Sequence, residues 1–146
     1  MAIKLEIRDY FSSDVDDLEG WHPATSSDVY FPLEIGIGEV GITGEHLFQA
    51  IIATPEGLIK HHTGKALEAF NILQRMGEES GKNALVIVDG YNWSKILSKL
   101  EKMVLECEKE SWDESLDCLR KNFFWEYEGM IYECITKKKK KKGKPA

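Results

Sequence analysis

The chain has 146 residues, 42% hydrophobic and 30% charged, the composition of a folded domain with apolar material for one core of ordinary size. No apolar run reaches the roughly 20 residues that a membrane-spanning helix needs, and the amino terminus MAIKLEIRDYF lacks the basic start and apolar stretch of a signal peptide, so a soluble, cytoplasmic protein is expected. The net charge of −6 is unevenly divided: residues 137–146 hold seven lysines and no acid, leaving 12 bases against 25 acids, a net −13, in residues 1–136.

Such a charge speaks of association rather than of fold, because it attracts a cationic partner at long range. The lysine run is too charged to pack and is expected to be a mobile tail, residues 137–146, beyond a single domain of residues 1–136.

AIKLEIRDYF alternates Ile3, Leu5 and Ile7 with Lys4, Glu6 and Arg8, the period of an opening strand with one wet face. SSDVDDLEGWHPATSSD reads as a long loop or a short helical turn capped by Ser12, Ser13 or Asp14. In DVYFPLEIGIG the alternation returns at Val29, Phe31, Leu33, Ile35 and Ile37, and ITGEHLFQAIIATP carries another extended run. Between them Gly36, Gly38 and Gly41 spell G-x-G-x-x-G, which binds a pyrophosphate only where it follows a strand and opens a helix. No helix start follows Gly41. An antiparallel hairpin without a nucleotide site is therefore expected, with Gly41 and Gly44 supplying positive φ in the turn and Gly36 and Gly38 marking a bulge or bend.

Thr54 caps a short helix in PEGLIKHH, with Pro55 in its first turn. A second helix in GKALEAFNILQRMGEE places Ala66, Ala69, Phe70, Leu73 and Met76 at three- and four-residue spacing and ends at Gly81. NALVIVDGY is a short apolar strand whose continuous run suggests a central, covered position. From Trp93 a helix carries Ile96, Leu97, Leu100, Val104 and Cys107 on one face and Lys95, Lys99, Lys102, Glu106 and Glu108 on the other. SWDE has the form of a capping box and opens a helix with Trp112, Leu116, Leu119 and Phe123 on one side, before FWEYEGMIYECI closes the chain as a strand bending at Gly129. This order predicts an α+β fold: a mainly antiparallel, curved sheet with two C-terminal helices packed on it.

The chemistry of an enzyme is missing from this pattern. His61 and His62 are adjacent and point apart, so they do not easily share a metal ion. Cys107, Cys118 and Cys134 lack paired spacing and suit buried free thiols in a reducing compartment. Glu126 and Glu128 share a strand face and could do acid-base work only in a pocket that raises one pKa. With no nucleophile motif and no phosphate loop, no catalytic residue, metal or cofactor is expected.

Acids beside aromatics remain: Asp14, Asp16, Asp17, Glu19 and Trp21 in the first loop, and Trp112, Asp113, Glu114, Asp117, Trp125 and Glu126 near the carboxyl end. Carboxylates steer a basic partner and pair with its cations, while the spacing of Trp112 and Trp125 makes them core residues. The candidate partner-binding residues are Asp14, Asp16, Asp17, Glu19, Asp113, Glu114, Asp117 and Glu126.

Three blocks, DYFSSDVDDLEGWHP, VYFPLEIGIGEVGITGEHLFQAIIATPEGL and LVIVDGYNWSKILSKLEKMVLECEKESWDESLDCLRKNFFWEYEG, cover most of residues 8–129, and their order and spacing resemble the type-8 immunity protein family. The intervening IKHHTGKALEAFNILQRMGEESGKN is longer than the family's link, and the lysine tail departs from its pattern. The resemblance implies a cytoplasmic antidote encoded beside a polymorphic toxin, including those of contact-dependent growth inhibition. It implies a non-enzymatic inhibitor whose partner is the cognate toxin's C-terminal domain, a basic nuclease and in particular an RNase, blocked at its active site or target-binding surface. The alternative is a nucleic-acid-binding protein using aromatic strands and the tail, a reading that the negative body opposes. Neither a membrane nor a specific nucleic acid is an expected partner.

Overall fold

The computed structural model describes residues 2–75, 81 and 83–126. Along them run β1 (Leu5–Phe11), β2 (Tyr30–Glu39), β3 (His46–Ala53), α1 (Pro55–His61), α2 (Gly64–Arg75), β4 (Leu85–Ile87), α3 (Trp93–Leu105), α4 (Trp112–Asn122) and β5 (Phe124–Trp125). β1, β2 and β3 form an antiparallel meander, and the far edge of β3 is shared by two short strands. β4 lies parallel to Ile51–Ala53, and β5 lies antiparallel to Phe48 and Gln49. The sheet is unclosed and mainly antiparallel, as the sequence pattern predicts.

Alternation in β2 and β3 decides which face is buried. Leu33, Ile35, Ile37, Phe48, Ala50 and Ile52 point to one side and are fully enclosed by Ile96, Leu100 and Val104 of α3 and by Leu119 and Phe123 beyond it. The stripe expected from Trp93 is thus the core face of α3. This helix runs back along β1: the Tyr10 and Trp93 rings sit 4.8 Å apart at one end, and at the other the amide of Leu5 donates to a Glu108 carboxylate oxygen at 2.7 Å.

The glycines of the G-x-G-x-x-G serve the hairpin. Gly41 and Gly44 take φ of +86° and +99° in the β2–β3 turn, a region that only glycine enters freely. The bulge falls on β1, opposite Gly36, and not on β2: Ile7 faces Ile37 and Asp9 faces Gly36, so Arg8 is the extra residue. It throws the Arg8 side chain across Gly38, where a Cβ would lie 2.5 Å from the guanidinium carbon. From there Arg8 donates to the carbonyls of Gly44, Glu39 and Ile42 and meets the Glu6 carboxylate at 3.1 Å.

α1 is fixed by the expected Thr54 cap. The Thr54 hydroxyl accepts from the amides of Gly57 at 3.1 Å and Val29 at 2.9 Å, joining helix start to strand start. His61 and His62 take different polar partners, the Asp28 carboxylate at 3.5 Å and the Tyr30 hydroxyl at 2.7 Å, but do not point apart as expected: their rings lie 6.1 and 5.7 Å from the Tyr30 ring.

Four further expectations are corrected or only partly met. β4 is a terminal strand, with Val86 buried and Ile87 exposed; its apolar run is continuous because Leu85 packs on the opposite sheet face, beneath Phe70 of α2. In α2 the small side chains Ala66 and Ala69 are exposed and Phe70 is the buried anchor, while Met76 and the side chain of Leu73 lie outside the described residues. Cys107 and Cys118 are joined in a disulfide, not left as free thiols, because α4 folds back against the end of α3 and brings their Cα atoms to 5.3 Å. These two cysteines therefore give no sign of a reducing compartment. The closing strand is described only at Phe124–Trp125; Glu128, the bend at Gly129, Cys134 and the lysine tail lie outside the described residues.

A Cβ at Gly57 would stand 2.0 Å from the carbonyl oxygen of Val29, so α1 docks on β2 only because that position has no side chain. Gly57→Ala is expected to lower unfolding free energy by about 2 kcal/mol in urea denaturation, whereas Ile59→Ala on the exposed side of α1 stays within about 0.5 kcal/mol of wild type. Cys118→Ser, which opens the loop closed between residues 107 and 118, is expected to lower stability by about 3 kcal/mol under non-reducing conditions and by nothing further once reductant is added.

Candidate functional site

The first loop leaves β1 at Phe11 and is held down by its apolar residues. Val15 and Leu18 are buried in the core, so Asp14, Asp16, Asp17 and Glu19, which flank them, are turned out to solvent. Polar contacts fix it further. The Ser12 hydroxyl accepts from the Asp14 amide at 3.2 Å, and an Asp17 carboxylate oxygen accepts from the Gly20 amide at 3.2 Å, an Asx-type turn. The Tyr10 hydroxyl donates to Glu19, and the Tyr91 hydroxyl donates to the carbonyl of Leu18. Trp21 closes the loop edge-on against Phe31 and Tyr91, with ring centroids 5.8 and 4.6 Å away. Burial, with the Asp17 charge second, pushes the Tyr91 pKa up to about 12. Four carboxylates are thereby presented on a braced loop.

The second expected cluster is split. Asp113 and Glu114 occupy the first turn of α4, where carboxylates oppose the positive end of the helix dipole, and the Glu114 amide donates to the Ser111 hydroxyl at 3.2 Å. Asp117 is exposed one turn further on. α4 begins beyond the end of α3, whereas the first loop packs at the start of α3. The two acidic groups therefore stand about 20 Å apart, the length of a 13-residue helix. Trp112 and Trp125 pack against the core as half-buried residues, Trp112 over His46 at 4.7 Å and Trp125 beneath the Arg120 guanidinium at 5.5 Å.

Glu126 belongs elsewhere. It lines a cavity of about 130 Å³ with Glu34, Leu47, Gln49, Phe124 and Trp125, at the open edge where β5 meets β3. Glu34, Leu47 and Phe11 were not singled out by the sequence, though the alternation of β2 and β3 already assigns Glu34 and Leu47 to the face opposite the core.

A second cavity, of about 480 Å³, lies after β4 and is lined by Asp89, Tyr91, Lys95 and Lys99 among others, without a histidine or cysteine. Lys99 is engaged there with the carbonyl of Ile87 at 2.8 Å. Among the described residues no group of three or more His, Cys, Asp or Glu side chains is placed to hold a metal ion, and no helix is long and apolar enough to cross a membrane. Of the strand aromatics, Phe31 and Phe48 are fully buried and cannot stack on bases, whereas Phe11 is exposed.

The chain is thus an α+β domain whose open sheet is backed by helices and whose braced loop carries four exposed carboxylates. The model of the family described as immunity protein 8 matches residues 5–130, and the chain belongs to that family. Membership supports a toxin-neutralising role and implies a cognate toxin as partner. No curated protein and no solved structure matches the chain.

Tyr91 is the test of the brace. A phenol whose folded pKa is raised contributes stability that is complete below its unfolded value of 10.0 and disappears as pH rises toward about 12. Wild-type protein is expected to lose stability across that window more steeply than Tyr91→Phe, as followed by denaturant midpoints at pH 9, 10 and 11. At pH 7 the same substitution removes one hydrogen bond and lowers stability by about 1 kcal/mol.

Proposed function

We propose that this chain neutralises a nuclease toxin, an RNase in particular, by covering the basic surface that meets the nucleic acid. The observation that carries the reading is the braced loop: Asp14, Asp16, Asp17 and Glu19 face solvent on a segment pinned by Val15 and Leu18, in a body of net charge −13. A nuclease groove is lined with Lys and Arg placed for phosphates, and rigid carboxylates meet those cations at little ordering cost. No catalytic group is needed, since occupancy alone excludes the substrate. Asp113, Glu114, Asp117 and Glu126 are secondary contacts in this reading, available to a partner large enough to span the length of α3. Action would be cytoplasmic, where the toxin's substrate lies, with residues 1–136 as the inhibitory domain and 137–146 as a tail.

The charge on the loop acts first on encounter. Replacing Asp14, Asp16, Asp17 and Glu19 together by Ala is expected to lower the association rate with the toxin domain by about tenfold at low ionic strength, the difference shrinking as salt screens the field. Stopped-flow association at several salt concentrations measures this. An association rate identical to wild type at low salt would remove the loop from the interface. Gel shifts with and without residues 137–146 separate the nucleic-acid reading: binding to RNA that survives removal of the tail would favour it.

A further inference from the structure

The sheet has a second face. Across β1, β2, β3 and β5 the register aligns Phe11, Glu34, Gln49 and Phe124 in one row, with Asp9, Gly36 and Leu47 in the next. The bulge at Arg8 sets this arrangement, because it inverts the parity of β1 and turns Phe11 outward. Phe70 of α2 packs over the β4 side of this face, on Ile51, Leu85 and Phe124. Among the described residues no helix packs over Phe11, Glu34 and Leu47: Phe11 is 55% exposed and Leu47 40% exposed. Two large apolar side chains thus flank Glu34 on an open sheet face, next to the small cavity that Leu47, Glu34 and Glu126 share.

We propose that this face, centred on Phe11, Glu34 and Leu47, is the anchoring part of the toxin interface, and that the cavity takes one arginine or lysine side chain of the toxin domain. The inference rests on the neutralisation reading above. Three observations support it. The cavity, about 130 Å³, is well below the roughly 300 Å³ at which metabolite-sized sites begin. Its chemistry is that of a slot for a long cation: Leu47, Phe124 and Trp125 meet an aliphatic stem, and Glu34 and Glu126 meet a charged head. The face is also continuous with the anionic loop, because Phe11 lines a hollow shared with Asp16, Asp17 and Glu19. A basic protein steered by the loop would arrive directly over the apolar residues.

Steering and anchoring separate in the kinetics. Long-range charge governs association, whereas a desolvated apolar contact governs dissociation. The probe is the toxin domain encoded beside this chain, in a catalytically inactive form, bound to immobilised full-length protein. Phe11→Ala and Leu47→Ala are each expected to raise the dissociation rate by about 30-fold while the association rate changes less than about twofold. Leu47→Arg, which sets a cation against a basic partner, is expected to abolish binding, and Glu34→Gln to weaken it by about tenfold. These positions are exposed, so unchanged melting midpoints verify that the variants fold; a variant that melts early is replaced in the comparison by Glu34→Gln, which removes no volume.

Dissociation rates within twofold of wild type for Phe11→Ala, Leu47→Ala and Leu47→Arg would overturn the proposal while leaving neutralisation intact, provided that wild type binds. A wild-type chain that fails to bind the toxin domain would remove the neutralisation reading and the proposal with it. Wild-type protein that dimerises in sedimentation, with Leu47→Arg monomeric, would assign the face to a second copy of the chain and equally overturn it.

Discussion

One-sided burial of the β1–β2–β3 meander is the constraint on which the remainder depends. Alternation in β2 and β3 sends Leu33, Ile35, Ile37, Phe48, Ala50 and Ile52 to one side, where α3 and α4 enclose them. A register slip of one residue would place Glu34 in the core and Ile35 in water. The hydrophobic gain from that single layer therefore selects the register, and the register in turn selects which residues are presented outward. Arg8 secures the far end by gathering the carbonyls of the β2–β3 turn, and the Thr54 hydroxyl secures the near end.

The acidic loop follows from the same layer. Val15 and Leu18 join the core, and the carboxylates around them are forced into solvent at fixed positions. Like charges so placed repel one another and are held by burial and by the hydroxyls of Tyr10 and Tyr91. Under the function proposed above, the work done against that repulsion in the free protein is recovered when a cationic surface arrives, and rigidity keeps the ordering cost small. The length of α3 separates this loop from the acids of α4, so a partner that touches one group need not touch the other.

Much of this was legible in the residues. The strand periods, the Thr54 and Ser111 caps, the α3 stripe and the hairpin glycines are local signals, each settled by spacing along a few positions. What escaped was tertiary. β4 looks central because an apolar run does not say which side each residue covers, and Leu85 proves to be held by Phe70 on the back of the sheet. The disulfide joins cysteines whose separation carries no motif, and only the return of α4 onto α3 brings them together. Of the candidate site, the loop acids could be named from sequence because acids between two anchors must face water. Alternation already puts Glu34 and Leu47 opposite the core, but Phe11 could not be placed beside them, since its face depends on a bulge at Arg8 that no residue type announces.

Inhibition by occupancy, without chemistry, is the central claim. The most direct measurement titrates the purified full-length chain into the active cognate toxin domain and follows the toxin's turnover of its substrate, nucleic acid under the function proposed above. Turnover should fall linearly and reach zero near one chain per toxin, with both proteins recovered unmodified. Undiminished turnover at a tenfold excess, or inhibition far below one equivalent with the toxin chemically altered, would contradict it.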